Sequence, residues 1–166
     1  MSNTTNRIEK IYVDMDGVIA NFNKRYLEKF GVTPEETRSN KKFGEYFQKF
    51  IQDREFAALD PMPDALLLLT YLNTLTHIPK EILSSTARED NHASISEQKK
   101  EWLEHYNIDY KQNFVPGKQH KAKYATPNSI LIDDTLVVID SWDKAGGIGI
   151  LHKNAVSTIA ILEMYV

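Results

Sequence analysis

Apolar and polar residues alternate along the chain in blocks that predict strands and helices in turn. Strands are predicted at 8–13, 81–84, 110–115, 129–133 and 147–151, and we interpret those at 8–13, 129–133 and 147–151 as buried strands. Helices are predicted at 21–30, 65–75, 95–106, 118–125 and 154–166. A capping box, Ser94-Ile-Ser-Glu97, is expected to open the third of these helices. Such alternation is typical of an α/β fold with a parallel sheet flanked by helices.

Residues 23–60 interrupt the alternation, because the patterns in this stretch predict helices and no strand. Thr33-Pro34-Glu35-Glu36 combines an N-cap, a proline at the first helical position and a glutamate three residues beyond the cap. Helically spaced aromatic side chains follow, at Phe43, Tyr46, Phe47 and Phe50. We interpret this stripe as packing between helices. Residues 23–60 are therefore predicted to form a small helical insertion in a core made of residues 1–22 and 61–166.

Composition indicates one compact domain and narrows the range of partners. The 166 residues are 42% hydrophobic and carry a net charge of -3, which disfavours nucleic acid as a partner without excluding it. The absence of cysteine excludes disulfides, thiolate zinc sites and cysteine nucleophiles. Because the start is polar and no apolar segment approaches membrane-spanning length, we expect a soluble, cytoplasmic protein that acts on a small molecule. Homo-oligomerisation is left open.

Polar side chains follow three of the predicted strands. Asp14 and Asp16 come after the first strand and precede Gly17, and residues two apart point to the same side of a strand. Ser84, Ser85 and Thr86 end the second strand, and Asp133 and Asp134 end the fourth, with Lys118, Lys121 and Lys123 preceding them. In an open parallel sheet these ends meet at one edge. Carboxylates that hold Mg²⁺, with hydroxyls and a lysine for phosphate oxygens, are what phosphoryl transfer requires.

With these motifs in this order, the chain resembles the haloacid dehalogenase-like (HAD) superfamily over almost its whole length. Within it, the run from Asp14 to Phe22 and the segment Phe56–Pro63 look most like the 5'(3')-deoxyribonucleotidases. This resemblance implies a Rossmann-like HAD core, with residues 23–60 as a small helical cap. It also implies a Mg²⁺-dependent phosphatase that hydrolyses (deoxy)ribonucleoside monophosphates through an aspartyl-phosphate.

The resemblance also implies residue roles. Asp14 would form the aspartyl-phosphate, Asp16 would act as acid and base, and Phe22 would help to hold the nucleotide base. Lys99 matches a lysine that commonly precedes a tryptophan in the family, here Trp102, and receives no role from the match.

More than one residue is compatible with some of the phosphate-binding and metal-binding roles. The phosphate-binding hydroxyl is one of Ser84, Ser85 and Thr86, with Ser84 or Ser85 favoured. The phosphate-binding lysine is Lys121 or Lys123. Mg²⁺ is expected to bind to an acidic set, which comprises Asp14, Asp16 through its backbone, and Asp133 or Asp134.

Two other functions are compatible with the sequence. Removal of 3'-phosphates from nucleic-acid ends is suggested by Thr86-Ala87-Arg88, although the acidic net charge argues against it. A non-catalytic nucleotide-binding or assembly module is disfavoured because every catalytic position of the motifs is filled.

Overall fold

The computed structural model describes residues 7–166 and has a five-stranded parallel sheet at its centre. The strands are β1 (Lys10–Val13), β2 (Lys80–Ser85), β3 (Lys111–Val115), β4 (Ser129–Asp133) and β5 (Ile148–Leu151). Their order is β3-β2-β1-β4-β5, so β1 is central and pairs with β2 and β4. The polar start of the chain, residues 1–6, lies outside the described residues. The predicted parallel sheet is confirmed.

Seven helices surround the described sheet or lie above it. They are α1 (Phe22–Phe30), α2 (Pro34–Ser39), α3 (Phe43–Gln52), α4 (Ala65–Thr74), α5 (His92–His105), α6 (Leu136–Lys144) and α7 (Ala155–Leu162). Three 3₁₀ segments occur at Glu55–Ala58, Glu89–Asn91 and Lys118–Tyr124. None of the helices in residues 7–166 is both long and apolar enough to cross a membrane.

The two faces of the sheet bury separate cores. Ile11 and Val13 of β1 face the larger core, which α4, α5 and α7 cover. Tyr12 points to the opposite face and packs on Trp142 of α6, with ring centroids 5.5 Å apart. Residues along a strand alternate between its faces, so the central strands β1 and β4 are buried on both sides. This explains the apolar runs in these two strands.

The predicted insertion forms a helical segment, α1 to the 3₁₀ segment Glu55–Ala58, above the carboxyl edge of the sheet. The chain entering this segment is hydrogen-bonded to the chain leaving it. The Asn21 N–H donates to the Asp60 carbonyl, and the Met62 N–H donates to the Ile19 carbonyl, both at 2.8 Å. Asn21 also caps α1, and Thr33 caps α2 as predicted. The aromatic residues of the segment belong to the same core cluster as β1.

Some local predictions were wrong. The capping box does not open α5, which begins two residues before Ser94, at His92; the Ser94 hydroxyl instead accepts a hydrogen bond from Gln98. The last helix ends at Leu162, before the predicted end at 166. Residues 118–124 form a 3₁₀ helix. Helix α6 was not predicted, although its buried Val138, Ile139 and Trp142 follow helical spacing.

Candidate active site

The turn after β1 brings both predicted catalytic carboxylates to one cavity. Asp14 stays attached to the sheet, since its N–H donates to a carbonyl of β4 at 2.9 Å. Met15 is buried in the core, and its carbonyl accepts the N–H groups of residues 18–20. The chain thus reverses at Gly17, whose φ is +82°. Asp14 and Asp16 both line a cavity of about 600 Å³ between the sheet edge and the helical segment.

Gly17 allows Asp134 to approach the same turn. A Cβ atom at Gly17 would lie 2.0 Å from Oδ2 of Asp134, far inside contact distance. Asp134 follows β4, is exposed and lines the cavity beside Asp14 and Asp16. Any side chain at position 17 would therefore push this carboxylate away.

Lys121 joins two of the buried carboxylates. Its Nζ lies 2.9 Å from Oδ1 of Asp14 and 2.7 Å from Oδ2 of Asp133. The other oxygen of Asp133 accepts the Thr135 N–H at 2.9 Å. Burial alone would lower the pKa of Lys121, but attraction to Asp14 and Asp133 outweighs it and holds the pKa above its ordinary value. Lys121 is thus a charged lysine beside the candidate nucleophile.

The structure separates the two candidate lysines. Lys121 is buried and lines the cavity, whereas Lys123 is exposed and its Nζ lies 2.9 Å from Nδ1 of His120. The two alternate along one 3₁₀ turn, and so point in different directions. Lys123 is therefore not brought to the carboxylates.

The three candidate hydroxyls also occupy different places. Ser84 is fully buried, and its Oγ accepts a hydrogen bond from Lys99 at 2.6 Å. Thr86 lines the cavity, but its hydroxyl donates to the Val115 carbonyl at 3.1 Å. Ser85 lines the cavity and accepts the Ala87 N–H at 3.1 Å, so its own proton can still be donated. Ser85 is the hydroxyl best placed to meet a phosphate.

Lys99, which received no role in the sequence analysis, contacts the turn after β1 and the end of β2. Its Nζ contacts Oδ2 of Asp16 at 3.1 Å and the Ser85 carbonyl at 2.9 Å, in addition to Ser84. The sequence did contain a signal for this residue: Lys99 lies on the helix after the strand that carries the hydroxyls, three residues before the core residue Trp102.

Aromatic side chains form the upper wall of the cavity. Phe22 lines it and stacks on Phe56, with ring centroids 5.6 Å apart and planes within 10° of parallel. Phe43 and Phe47 also line the cavity. The predicted aromatic stripe therefore packs between helices, as Phe50 does in the core, and also lines the cavity through Phe43 and Phe47.

The acidic residues at the sheet edge repel one another. Burial, reinforced by repulsion from Asp14 and outweighing attraction to Lys121, raises the pKa of Asp133 to about 6. Asp134 is exposed at the cavity, but neighbouring protein atoms displace part of the water around its carboxyl group. This loss of solvation, with repulsion from Asp14 and Asp133, raises the pKa of Asp134 to about 7. Ligand oxygens from these three aspartates lie within 4.8 Å of one another. This all-oxygen set, with its excess negative charge, fits a hard divalent cation such as Mg²⁺.

Comparisons with solved structures show what the fold is similar to. A hydrolase from Streptococcus pneumoniae is similar over 95% of this chain and 99% of its own, with a TM-score of 0.60 at 16% identity. A HAD-superfamily hydrolase of subfamily IA from Geobacter sulfurreducens is similar over 93% of this chain and 96% of its own, with a TM-score of 0.52 at 14% identity. The fold is therefore the Rossmann-like α/β fold of the HAD superfamily.

The sequence places the chain more closely within that superfamily. Residues 6–158 match the family described as 5' nucleotidase, deoxy (pyrimidine), cytosolic type C protein. The chain belongs to this family. No curated protein matches it in sequence.

Proposed function

We propose that the protein is a Mg²⁺-dependent phosphatase that hydrolyses (deoxy)ribonucleoside monophosphates. One observation carries the proposal: Asp14, beside the charged Lys121, and Asp16 face the same cavity as the stacked ring of Phe22. A phosphate at the carboxylates and a base on the aromatic wall are the two ends of one nucleotide. Membership of the nucleotidase family supports this substrate class. The word cytosolic in the family's description supports a cytoplasmic location.

The reaction uses the carboxylates in sequence. The Asp14 oxygen that does not bind Lys121 attacks phosphorus and forms an aspartyl-phosphate, while the nucleoside oxygen leaves with a proton from Asp16. Asp16 then takes a proton from water, which attacks the aspartyl-phosphate and releases inorganic phosphate. Lys121 offsets charge at the nucleophile, and the Ser85 hydroxyl donates to a phosphate oxygen.

Mg²⁺ would be held by Asp14, Asp134 and the backbone carbonyl of Asp16. Asp133 supports this site from behind, since both of its oxygens bind protein donors, Lys121 and the Thr135 N–H. When bound, the ion supplies positive charge that reduces repulsion between the phosphate and the carboxylates.

The helical segment 23–60 serves as the cap that selects the substrate in this proposal. The residues at the sheet edge contact phosphate and metal, which all nucleotides share. The wall formed by Phe22, Phe43 and Phe47 supplies ring surface on which a base can stack.

Phosphate release from a panel of nucleoside monophosphates and a 3'-phosphorylated oligonucleotide tests this function. We expect turnover of the mononucleotides that is lost in excess EDTA and restored by added Mg²⁺. Preferential turnover of the oligonucleotide would favour the nucleic-acid 3'-phosphatase instead. Nucleotide binding with no turnover of any substrate would favour the non-catalytic module.

A further inference from the structure

Lys99 is a buried lysine whose three ammonium protons are all donated to acceptors within the protein. Its side chain is only 2% exposed. Its Nζ lies 2.6 Å from the Ser84 hydroxyl, 2.9 Å from the Ser85 carbonyl and 3.1 Å from Oδ2 of Asp16. An ammonium group has three protons. Lys99 therefore has no N–H left to donate to a phosphate oxygen.

Asp16 depends on this lysine for its orientation. Within residues 7–166, Oδ1 of Asp16 is buried without a hydrogen-bond partner, and Lys99 supplies the hydrogen bond that Oδ2 accepts. Gly17, which follows Asp16 in the turn, has no side chain to support the carboxylate. Without Lys99, the Asp16 carboxylate would lose its tether and could rotate away from a reacting group.

Lys99 is itself held rigidly. The adjacent Gln98 is fully buried, and it accepts the Phe56 N–H at 3.1 Å and donates to the Ile51 carbonyl at 3.0 Å. One turn further along α5, Trp102 donates to the Leu59 carbonyl at 2.7 Å. Helix α5 is thus fastened to the returning end of the helical segment on both sides of Lys99, which gives the ammonium group a rigid base.

We propose that Lys99 is a positioning residue that orients Asp16 toward the leaving oxygen of the phosphate ester without contacting the substrate. This inference rests on the proposed function, in which Asp16 is the acid and base. In this proposal Ser84, which does not line the cavity, anchors Lys99 by accepting its hydrogen bond.

Leaving-group dependence separates positioning of the acid from other roles. Phenyl phosphate releases a basic oxygen that needs a proton, whereas dinitrophenyl phosphate releases a stable anion that needs little help. General acid–base catalysis contributes about 10²- to 10⁴-fold. We therefore expect Lys99→Met to lower kcat/KM for phenyl phosphate about tenfold to a hundredfold more than for dinitrophenyl phosphate. The ratio kcat/KM reports the steps up to phosphoryl transfer, so slower hydrolysis of the aspartyl-phosphate does not obscure the contrast.

Lys100→Met is the matched control, since Lys100 is the exposed neighbour on the same helix. It should leave both rates unchanged. In an Asp16→Asn background, adding Lys99→Met should cause little further loss with phenyl phosphate, because the residue that Lys99 orients has already been disabled. If Lys99→Met does not fold, Ser84→Ala removes one of the three anchors and should show the same contrast at smaller size.

The outcomes are distinct. Equal losses with the two esters, or a full further loss in the Asp16→Asn background, would overturn the positioning role while leaving the phosphatase intact. If the wild-type protein hydrolyses neither ester nor any nucleotide, the proposed function fails and the role of Lys99 fails with it.

Discussion

Gly17→Ala tests whether the turn after β1 exists to admit the Asp134 carboxylate. The substitution makes two changes. A residue with a Cβ at φ +82° incurs backbone strain of about 1–2 kcal/mol. The new Cβ would also lie 2.0 Å from Oδ2 of Asp134, whereas real Cβ contacts are essentially never under 3.0 Å, so the carboxylate must move outward by about 1 Å. That carboxylate ends a short side chain, so moving it adds little to the loss of stability.

Gly31→Ala provides a matched control for the strain alone. Gly31 ends α1 at φ +72°, and a Cβ there would meet nothing within 4 Å. Both variants should lose about 1–2 kcal/mol in urea unfolding. In isothermal titration with Mg²⁺, Gly17→Ala should bind about tenfold to a hundredfold more weakly, the usual effect of disturbing a metal-ligand shell. Gly31→Ala should bind normally. Equal Mg²⁺ affinity and turnover in the two variants would refute the proposed part of Asp134 in the metal site.

Three further predictions follow from the site and the core. Asp14→Asn should abolish phosphate release while circular dichroism stays unchanged, because an amide cannot act as the nucleophile; a folded variant with near-normal turnover would contradict the mechanism. Phe22→Ala should lower kcat/KM for nucleotides about tenfold to a hundredfold, because base stacking on an aromatic ring contributes about 1–3 kcal/mol. The loss for p-nitrophenyl phosphate, which has no base, should be smaller, and equal losses would show that Phe22 supports the fold instead. Burial lowers the pKa of His152 below its ordinary 6.5, so its contribution to stability is present above that pH and is lost as the pH falls below it. His152→Gln removes this contribution, so the difference in unfolding free energy between the wild type and this variant should fall as the pH drops from about 7 to 5. The difference between the wild type and His105→Gln, at an exposed position, should stay constant, and a constant difference for both variants would show that burial of His152 does not make stability depend on pH.

Local signals in the sequence predicted most of the elements. The central strands β1 and β4 are buried on both faces, so their apolar runs are visible in the chain itself. Asn21 and Thr33 cap their helices through contacts with residues three positions away, which the sequence also displays. The helix start predicted from the capping box at Ser94 was wrong, because α5 begins earlier, at His92, where no side chain caps the helix. Helix α6 was missed between two strands although its apolar residues follow helical spacing.

By itself the sequence determined the alternation of strands and helices, and it placed Asp14 and Asp16 two residues apart on one turn. The tertiary structure decided which lysine and which hydroxyl join them. Lys121 reaches Asp14 across 107 positions of the chain, and Lys99 reaches Asp16 across 83. Lys123 is just two residues from Lys121 but lies at the surface. Spacing along the chain cannot distinguish such neighbours, because the direction of each side chain depends on how its element packs against the sheet.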